Sequence, residues 1–157
     1  MRKRIITPVK QEIPLPGEDW LSLEGIVEVE ITSEDAAHPI ESALLPGLTS
    51  GWRAAGPGKQ AIRLLFAHPQ PLRRIWLDFV EPRTERTQEY VLRWSADGGD
   101  SFQEIVRQQW NFSPQGATRE TEDHHVELPA VAVLELSITP DTSGGDARAS
   151  LAQLRLA

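Results

Sequence analysis

The sequence predicts an all-β domain, and three observations support this fold class. Short segments along the chain alternate apolar with polar side chains, which is the pattern of half-buried strands. Turn-forming residues separate these segments, and the 157 residues include 12 prolines and 11 glycines, as expected where many short elements need many turns. The length is that of one domain with a substantial core. Together these features predict a β-sandwich or a β-barrel.

Eight segments are predicted to be strands. In Val27–Ile31, three apolar residues alternate with two glutamates, which is typical of a strand with one buried face. The turn signal Asp97-Gly98-Gly99-Asp100 lies between two of the segments and predicts a hairpin. In chain order the predicted strands are residues 27–31, 62–66, 72–79, 90–94, 102–106, 126–128, 131–138 and 151–156.

Two segments also fit a helix. Residues 39–45 predict a single helical turn between the first two strands. In residues 147–156 the leucines fit neither the period of a helix nor that of a strand cleanly. Periodicity alone therefore leaves both a helix and a strand open for this second segment.

Charge is distributed unevenly along the chain. The formal net charge is −7, although residues 1–10 contain four basic residues and no acidic one. We interpret residues 1–19 as a partly ordered N-terminal arm and residues 20–157 as the folded domain. The basic arm suits either a solubilising terminus or contact with an anionic surface. Because an acidic body repels phosphate, we expect no nucleic-acid partner.

The N-terminus and the cysteine content bear on the compartment. Only Ile5 and Ile6 separate the basic residues from Thr7 and Pro8, which is too short an apolar run for a secretory signal. The chain contains no cysteine, which fits a reducing environment. No stretch is apolar enough for a membrane span. We therefore expect a soluble, cytoplasmic protein.

Several short motifs occur in the order found in one known family. They are the turn Thr49–Arg53, the paired segments 60–66 and 72–79, the hairpin at 90–102 and the closing segment 149–154. In this order they resemble the discoidin, or F5/8 type C, domains, which have a galactose-binding-like fold. The resemblance covers the chain after residue 20 and implies an eight-strand jelly-roll β-sandwich, with the last segment as a strand. Because such domains bind sugars, lipids or proteins, it does not fix the ligand.

Two departures from the family pattern concern calcium. Many members hold a structural calcium ion through an aspartate-glycine pair before the conserved tryptophan and a glutamate in the last strand. Here Leu45-Pro46-Gly47 lies near the first position, and Gln153 occupies the second. Because calcium binds through several oxygen ligands that include carboxylates, we expect no tight calcium site. No other cofactor is expected.

Catalytic motifs give no support for an enzyme. The sequence contains no nucleophile elbow, P-loop or glycine-rich dinucleotide motif. The cluster Glu122-Asp123-His124-His125 is interpreted as the solvated start of a strand, because adjacent histidines point to opposite faces and cannot easily share one metal. We therefore expect a binding module that is not an enzyme.

Seven residues are candidates for binding a carbohydrate or glycoconjugate. In Trp110-Asn111-Phe112, which we place in an irregular loop, two rings suit stacking on a pyranose and the amide suits its hydroxyls. The alternative is that both rings close one end of the core. The resemblance gathers the predicted loops that carry arginines near the ends of the sandwich. The candidates are His38, Arg53, Arg83, Arg86, Trp110, Asn111 and Phe112.

A second hypothesis is a cytoplasmic protein-interaction or oligomerisation module. Trp76 alternates out of phase with the apolar residues of its strand and shares its face with Arg74 and Asp78. If that face is open to solvent, Trp76 can anchor a protein partner or a second copy of the chain. The alternative is that Trp20 or the N-terminal arm covers it.

Overall fold

The computed structural model describes residues 20–157, so the predicted N-terminal arm at 1–19 lies outside the described residues. One short helix and eight strands make up this part of the chain. Within it, no helix is long and apolar enough to cross a membrane. The elements are β1 (Val27–Ile31), α1 (Glu41–Leu44), β2 (Trp52–Pro57), β3 (Gln60–Val80), β4 (Arg86–Ser95), β5 (Gln103–Phe112), β6 (Arg119–Thr139), β7 (Arg148–Leu151) and β8 (Gln153–Leu156).

Two long strands build both layers of a sandwich. β3 and β6 each contain 21 residues and pair with one another in an antiparallel ladder. The first part of β3 also pairs with β1, and its last part pairs with β8. The end of β6 pairs with β4, which in turn pairs with β5. The result is a layer of five strands opposite a layer of three, with β2 and β7 as a separate ribbon. The predicted all-β jelly-roll sandwich is confirmed.

Breaks between predicted strands prove to be bends within strands. Residues 62–66 and 72–79 both belong to β3, and residues 126–128 and 131–138 both belong to β6. The ladder between the two strands shifts register between Leu65 and Arg74. This region contains Pro69 and Pro71, which have no N–H group to donate to a neighbouring strand. The chain therefore bends there without leaving the sheet.

The structure also confirms the predicted helical turn, decides the ambiguous last segment and adds one strand that was not predicted. The helical turn predicted at residues 39–45 is confirmed as α1, and residues 147–156 form β7 and β8 rather than a helix. The sequence analysis missed β2, because Trp52–Pro57 combines a glycine and a proline with few apolar residues. This strand pairs only with β7.

The core fills the space between the two layers. Trp52, Phe79, Tyr90 and Phe112 are its largest fully buried side chains. The rings of Phe79 and Tyr90 come from opposite layers, and their centroids lie 5.3 Å apart. Trp52 donates its indole N–H to the carbonyl of Ser33 at 3.0 Å. Buried tryptophans generally need such a partner.

Trp76, for which the sequence left both an open and a covered face possible, is covered. The residue does point away from the main core, but only 3% of its surface is accessible. Its cross-strand neighbours are Arg155 and Asp123, and long charged side chains can cover apolar surface. Arg155 is itself buried and donates to the carbonyls of Ala43 and Leu45 at 2.9 and 3.3 Å.

The other two residues of that proposed interface are also engaged. Asp78 is buried and accepts two hydrogen bonds from Arg119, at 2.9 and 2.7 Å. Arg74 pairs with Asp123 at 2.8 Å and lies 4.6 Å above the ring of Trp20. The face around Trp76 is therefore occupied by the domain's own side chains, and the hypothesis of an exposed interface there loses its anchor.

One glycine gives a direct test of the ribbon. Gly51 has a φ of +70°, and a β-carbon at this position would lie 2.9 Å from the carbonyl oxygen of Leu151. We expect Gly51→Ala to lower the free energy of unfolding by about 1–3 kcal/mol. Gly47→Ala is the matched control, because Gly47 has a φ of +86° and open space around it. Urea denaturation of both variants measures the difference, and equal losses would show that the close approach to Leu151 costs nothing.

Candidate functional site

A pocket of about 620 Å³ lies at one end of the sandwich. It is located where the two longest strands end, because β3 ends at Val80 and β6 ends at Thr139. We call it the loop-end pocket. Its volume falls within the range of about 300–1,000 Å³ for small-molecule sites. Its walls are the turn after β3, the loop after β6, the β2–β7 ribbon, and His38 with Ser50.

Glu81 shapes the turn after β3. One carboxylate oxygen accepts hydrogen bonds from the backbone N–H groups of Arg83 and Thr84, both at 3.2 Å. The other oxygen accepts a bond from the guanidinium of Arg86 at 2.8 Å. Burial raises the pKa of Glu81, but the hydrogen bonds and the charge of Arg86 outweigh it and hold the pKa below its usual value. The turn that carries Arg83 is therefore fixed by an ionised carboxylate.

Arg86 connects two walls of the pocket, the turn after β3 and the loop after β6. Besides Glu81, it donates to the carbonyl of Pro140 at 2.7 Å, and its guanidinium lies 4.8 Å from the ring centroid of Phe112. Only 3% of the residue is accessible. Arg86 was predicted to lie in a loop, but it begins β4 and is buried. It positions the segments that follow β3 and β6.

His38 is held in one orientation. Its backbone N–H donates to the carbonyl of Asp35 at 2.8 Å, and its own carbonyl accepts the N–H of Arg53 at 3.2 Å. The ring Nδ1 lies 3.0 Å from the carbonyl of Ser50. Because a carbonyl only accepts, Nδ1 carries the proton and Nε2 is left as an acceptor. His38, Arg53 and Arg83, three of the predicted ligand-binding residues, are thus brought together in one pocket.

The aromatic segment predicted as a loop is part of a strand. Trp110, Asn111 and Phe112 end β5, because they continue the ladder with β4 to the Arg86–Phe112 pair. Phe112 is fully buried and Trp110 packs partly buried against the core, so their rings close one side of the sandwich. The Asn111 side-chain oxygen accepts a hydrogen bond from Thr87 at 2.7 Å. Asn111, Phe112 and Arg86 border a separate cavity of about 350 Å³.

The loop-end pocket combines polar walls with a small apolar surface. Val80 is 41% accessible despite its size, and it lines the pocket together with Pro82. Trp52 also borders the pocket but is buried. No accessible tryptophan, tyrosine or phenylalanine ring is among the residues that line it in the described range. The sequence analysis missed Val80 and Arg148, since neither belongs to a recognisable motif.

A row of hydrogen-bonded polar side chains links the two layers beside this site. Gln88 lies between Arg86 and Glu120, with its side-chain amide donating to the Glu120 carboxyl at 3.1 Å. The Tyr90 hydroxyl lies 2.6 Å from Nε2 of His124. Burial lowers the pKa of His124 and so favours its neutral ring. Of residues 122–125, which lie in the first part of β6, Asp123 and His125 are exposed as the sequence analysis expected, whereas Glu122 and His124 are half-buried.

Among the acids in this row of side chains, Glu120 has the most strongly raised pKa. Burial, a hydrogen bond with Glu122 and the charge of Glu122 raise the pKa of Glu120 to about 8, against the opposing effects of Gln88 and Arg86. Its buried Oε2 receives no hydrogen bond from a donor among the described residues. A proton on this oxygen would satisfy it, because a protonated carboxyl can donate to Glu122.

Metal ligands are not clustered in the described part of the chain. Across residues 20–157, no group of three or more histidines and acids is arranged to hold an ion. The carboxylates nearest the loop-end pocket are instead bound by protein donors, as Glu81 is by Arg86 and Asp141 is by Ser143. The lowered pKa of Asp141 follows from its bonds with Ser143.

Comparison with known proteins identifies the fold. No protein-family model matches the chain, and no curated protein sequence matches it. The family 32 carbohydrate-binding module of AlyQ, in complex with 4,5-unsaturated mannuronic acid, superimposes with a TM-score of 0.62 at 16% identity, covering 84% of this chain and 95% of that one. The family 32 module of Clostridium perfringens NanJ, in complex with galactose, gives 0.57 at 19% identity, covering 83% and 92%. The chain has the galactose-binding-like fold.

The galactose-binding-like fold is shared with proteins that have other partners. XRCC1 bound to the DNA polymerase β catalytic domain superimposes with a TM-score of 0.60 at 14% identity, covering 84% of this chain and 96% of that one. Because a fold hosts unrelated functions, the ligand of this chain must be inferred from its own pocket.

Proposed function

We propose that this domain is a non-catalytic carbohydrate-binding module that takes its ligand in the loop-end pocket. The observation that carries the proposal is a pocket of about 620 Å³ at one end of the sandwich, with hydrogen-bonding groups around a small apolar surface. Sugars present this same combination, since their hydroxyls surround apolar ring faces. The similarity in fold to carbohydrate-binding modules supports the assignment.

The pocket offers both donors and acceptors to sugar hydroxyls. Nε2 of His38 accepts, Arg53 and Arg83 donate, and the hydroxyls of Ser150 and Thr84 can do either. Val80 and Pro82 provide an apolar contact for a ring face. The His38 ring and the backbone of the turn that carries Arg83 are fixed by hydrogen bonds, so binding need not order these two parts of the pocket.

The chemistry of the acids favours binding over catalysis. Hydrolysis of a glycosidic bond usually needs one carboxyl with a raised pKa beside the substrate. Glu81, which borders the pocket, has a lowered pKa and is engaged by Arg86. Glu120 has a raised pKa, but it is buried between the layers and does not line the pocket.

A glycan array followed by calorimetry tests this proposal. We expect the domain to bind at least one saccharide, and we expect Thr84→Trp to abolish that binding, because an indole at this exposed position fills the pocket. Ala96→Trp is the matched control, since Ala96 is exposed just beyond the far end of β4. No binding on the array, or equal binding by the two variants, would contradict the proposal.

A further inference from the structure

Arginines without partners are concentrated in the loop-end pocket. Of the eleven arginines in residues 20–157, seven bond a carboxylate or a carbonyl through their guanidinium groups. The other four make no side-chain hydrogen bond or ion pair within the described residues. Three of them line the pocket and one does not. The three are Arg53, Arg83 and Arg148, and the fourth is Arg73.

The ribbon places two of these arginines side by side. Arg53 in β2 lies opposite Ser150 in β7, and Arg148 precedes Ser150 by two residues on the same face. Arg148 pairs with Pro57, and the register shifts between Arg53 and Pro57, so the two arginines are neighbours across an irregular part of the ribbon that lines the pocket. Both side chains are exposed on the face opposite buried Ala54 and Ala149. Arg83 approaches from the turn after β3.

Protein donors engage two of the three acids that line the pocket. Both oxygens of Glu81 accept bonds from protein donors, and Asp141 accepts two bonds from Ser143 at 3.1 and 2.8 Å. Asp146 is the lining acid whose carboxylate accepts no hydrogen bond from the described residues. The groups left for a ligand are therefore mainly guanidinium donors, which match the two oxygens of a carboxylate or sulfate.

We propose that the loop-end pocket selects a saccharide that carries an anionic group, bound by Arg53, Arg83 and Arg148. The inference rests on the proposed function and adds the class of ligand. With no accessible aromatic ring lining the pocket in the described residues, stacking contributes little. Affinity then comes from charge-assisted hydrogen bonds. The net charge of −7 opposes an anion mainly through distant charges. Physiological salt largely screens exposed charges that are more than about 8 Å apart.

Binding of matched charged and neutral sugars tests the inference. The probes are trimers of galacturonate and mannuronate, their methyl esters, and a sulfated galactose oligosaccharide, each measured by calorimetry. We expect at least one anionic probe to bind about ten-fold or more tightly than its neutral counterpart. The uronate and sulfate arms show which anionic group is recognised. Equal affinity for a uronate and its methyl ester overturns the inference but leaves the proposed function standing, whereas no binding of any saccharide overturns both.

Variants that each remove one arginine charge test which residues bind the anionic group. Arg53→Gln, Arg83→Gln and Arg148→Gln should each weaken binding of the anionic probe about ten-fold, and weaken binding of its neutral counterpart less, because only the anionic probe loses a charge-assisted bond. Arg73→Gln is the matched control, because Arg73 is also exposed and unpaired but does not line the pocket. Thermal unfolding checks that all four variants fold. Undiminished binding of the anionic probe by the three pocket variants overturns the assignment of these residues.

Discussion

Replacing Arg86 by methionine is expected to lower the free energy of unfolding by about 3 kcal/mol or more, because removing one partner of a buried ion pair leaves the other uncompensated. The side chain of Glu81 is 18% accessible and would lose the bond of 2.8 Å to Arg86. The carbonyl of Pro140 would lose its donor as well. Methionine retains the apolar stem, so the loss reports the guanidinium. Urea denaturation measures the change.

An exposed arginine provides the control for Arg86. Arg107 also pairs with two glutamates, Glu89 and Glu104, but its side chain is 52% accessible. Because surface ion pairs contribute about 0–1 kcal/mol, Arg107→Met should cost less than about 1 kcal/mol. If the two variants lose the same stability, Arg86 does not hold the walls of the pocket together.

The second large effect concerns pH and Glu120. A pKa raised from 4.5 to about 8 means that the folded chain holds this proton more tightly than the unfolded chain. The stabilisation is fully present below pH 4.5 and is lost as the pH rises through about 8. Glu120→Gln removes this titration and keeps an acceptor for Gln88. Relative to this variant, we expect the wild-type domain to lose on the order of a few kcal/mol between pH 5 and pH 9.

Denaturant unfolding at pH 5 and pH 9 measures this difference. Glu127→Gln is the matched control, since Glu127 lies on β6 as well but is exposed. Its stability should follow that of the wild-type domain across the same interval. The quantity compared is the difference in unfolding free energy between the wild-type domain and Glu120→Gln. An equal difference at pH 5 and pH 9 would rule out a buried neutral carboxyl at this position.

The strand centres were predictable from sequence, whereas the strand ends were not. Alternation in Val27–Ile31 reproduces β1 residue for residue, because one face is buried and the other is solvated. Periodicity carries no information on whether a proline bends a strand or ends it, so β3 was divided near Pro69. For the same reason Trp110 and Phe112 were separated from β5.

Burial of polar side chains was the main feature that the sequence concealed. Arg86 and Gln88 alternate with Thr87 and Glu89, which is also the pattern of a strand whose polar face meets water. Only the opposite layer, which brings Glu120 to Gln88, determines that these side chains are inside. Trp76 shows the same limit, because its alternation indicated the correct face of the strand but left open whether that face was covered.

The candidate site was recovered in part. The family resemblance gathered the loops at the ends of the sandwich, and His38, Arg53 and Arg83 do line one pocket. Arg148 was missed, because its closeness to Arg53 depends on the pairing of β2 with β7. That pairing joins segments almost a hundred residues apart in the chain, and the sequence analysis had not recognised β2 as a strand.

The shared strands of the sandwich affect how the domain unfolds. Since β3 and β6 run through both layers, neither layer can detach without breaking the ladder of the other. Most of this pairing joins segments far apart in the chain, so the cost of loop closure precedes the gain in contacts, and slow, cooperative folding follows. The walls of the loop-end pocket continue directly from these strands, so the binding surface is assembled only when the whole domain is.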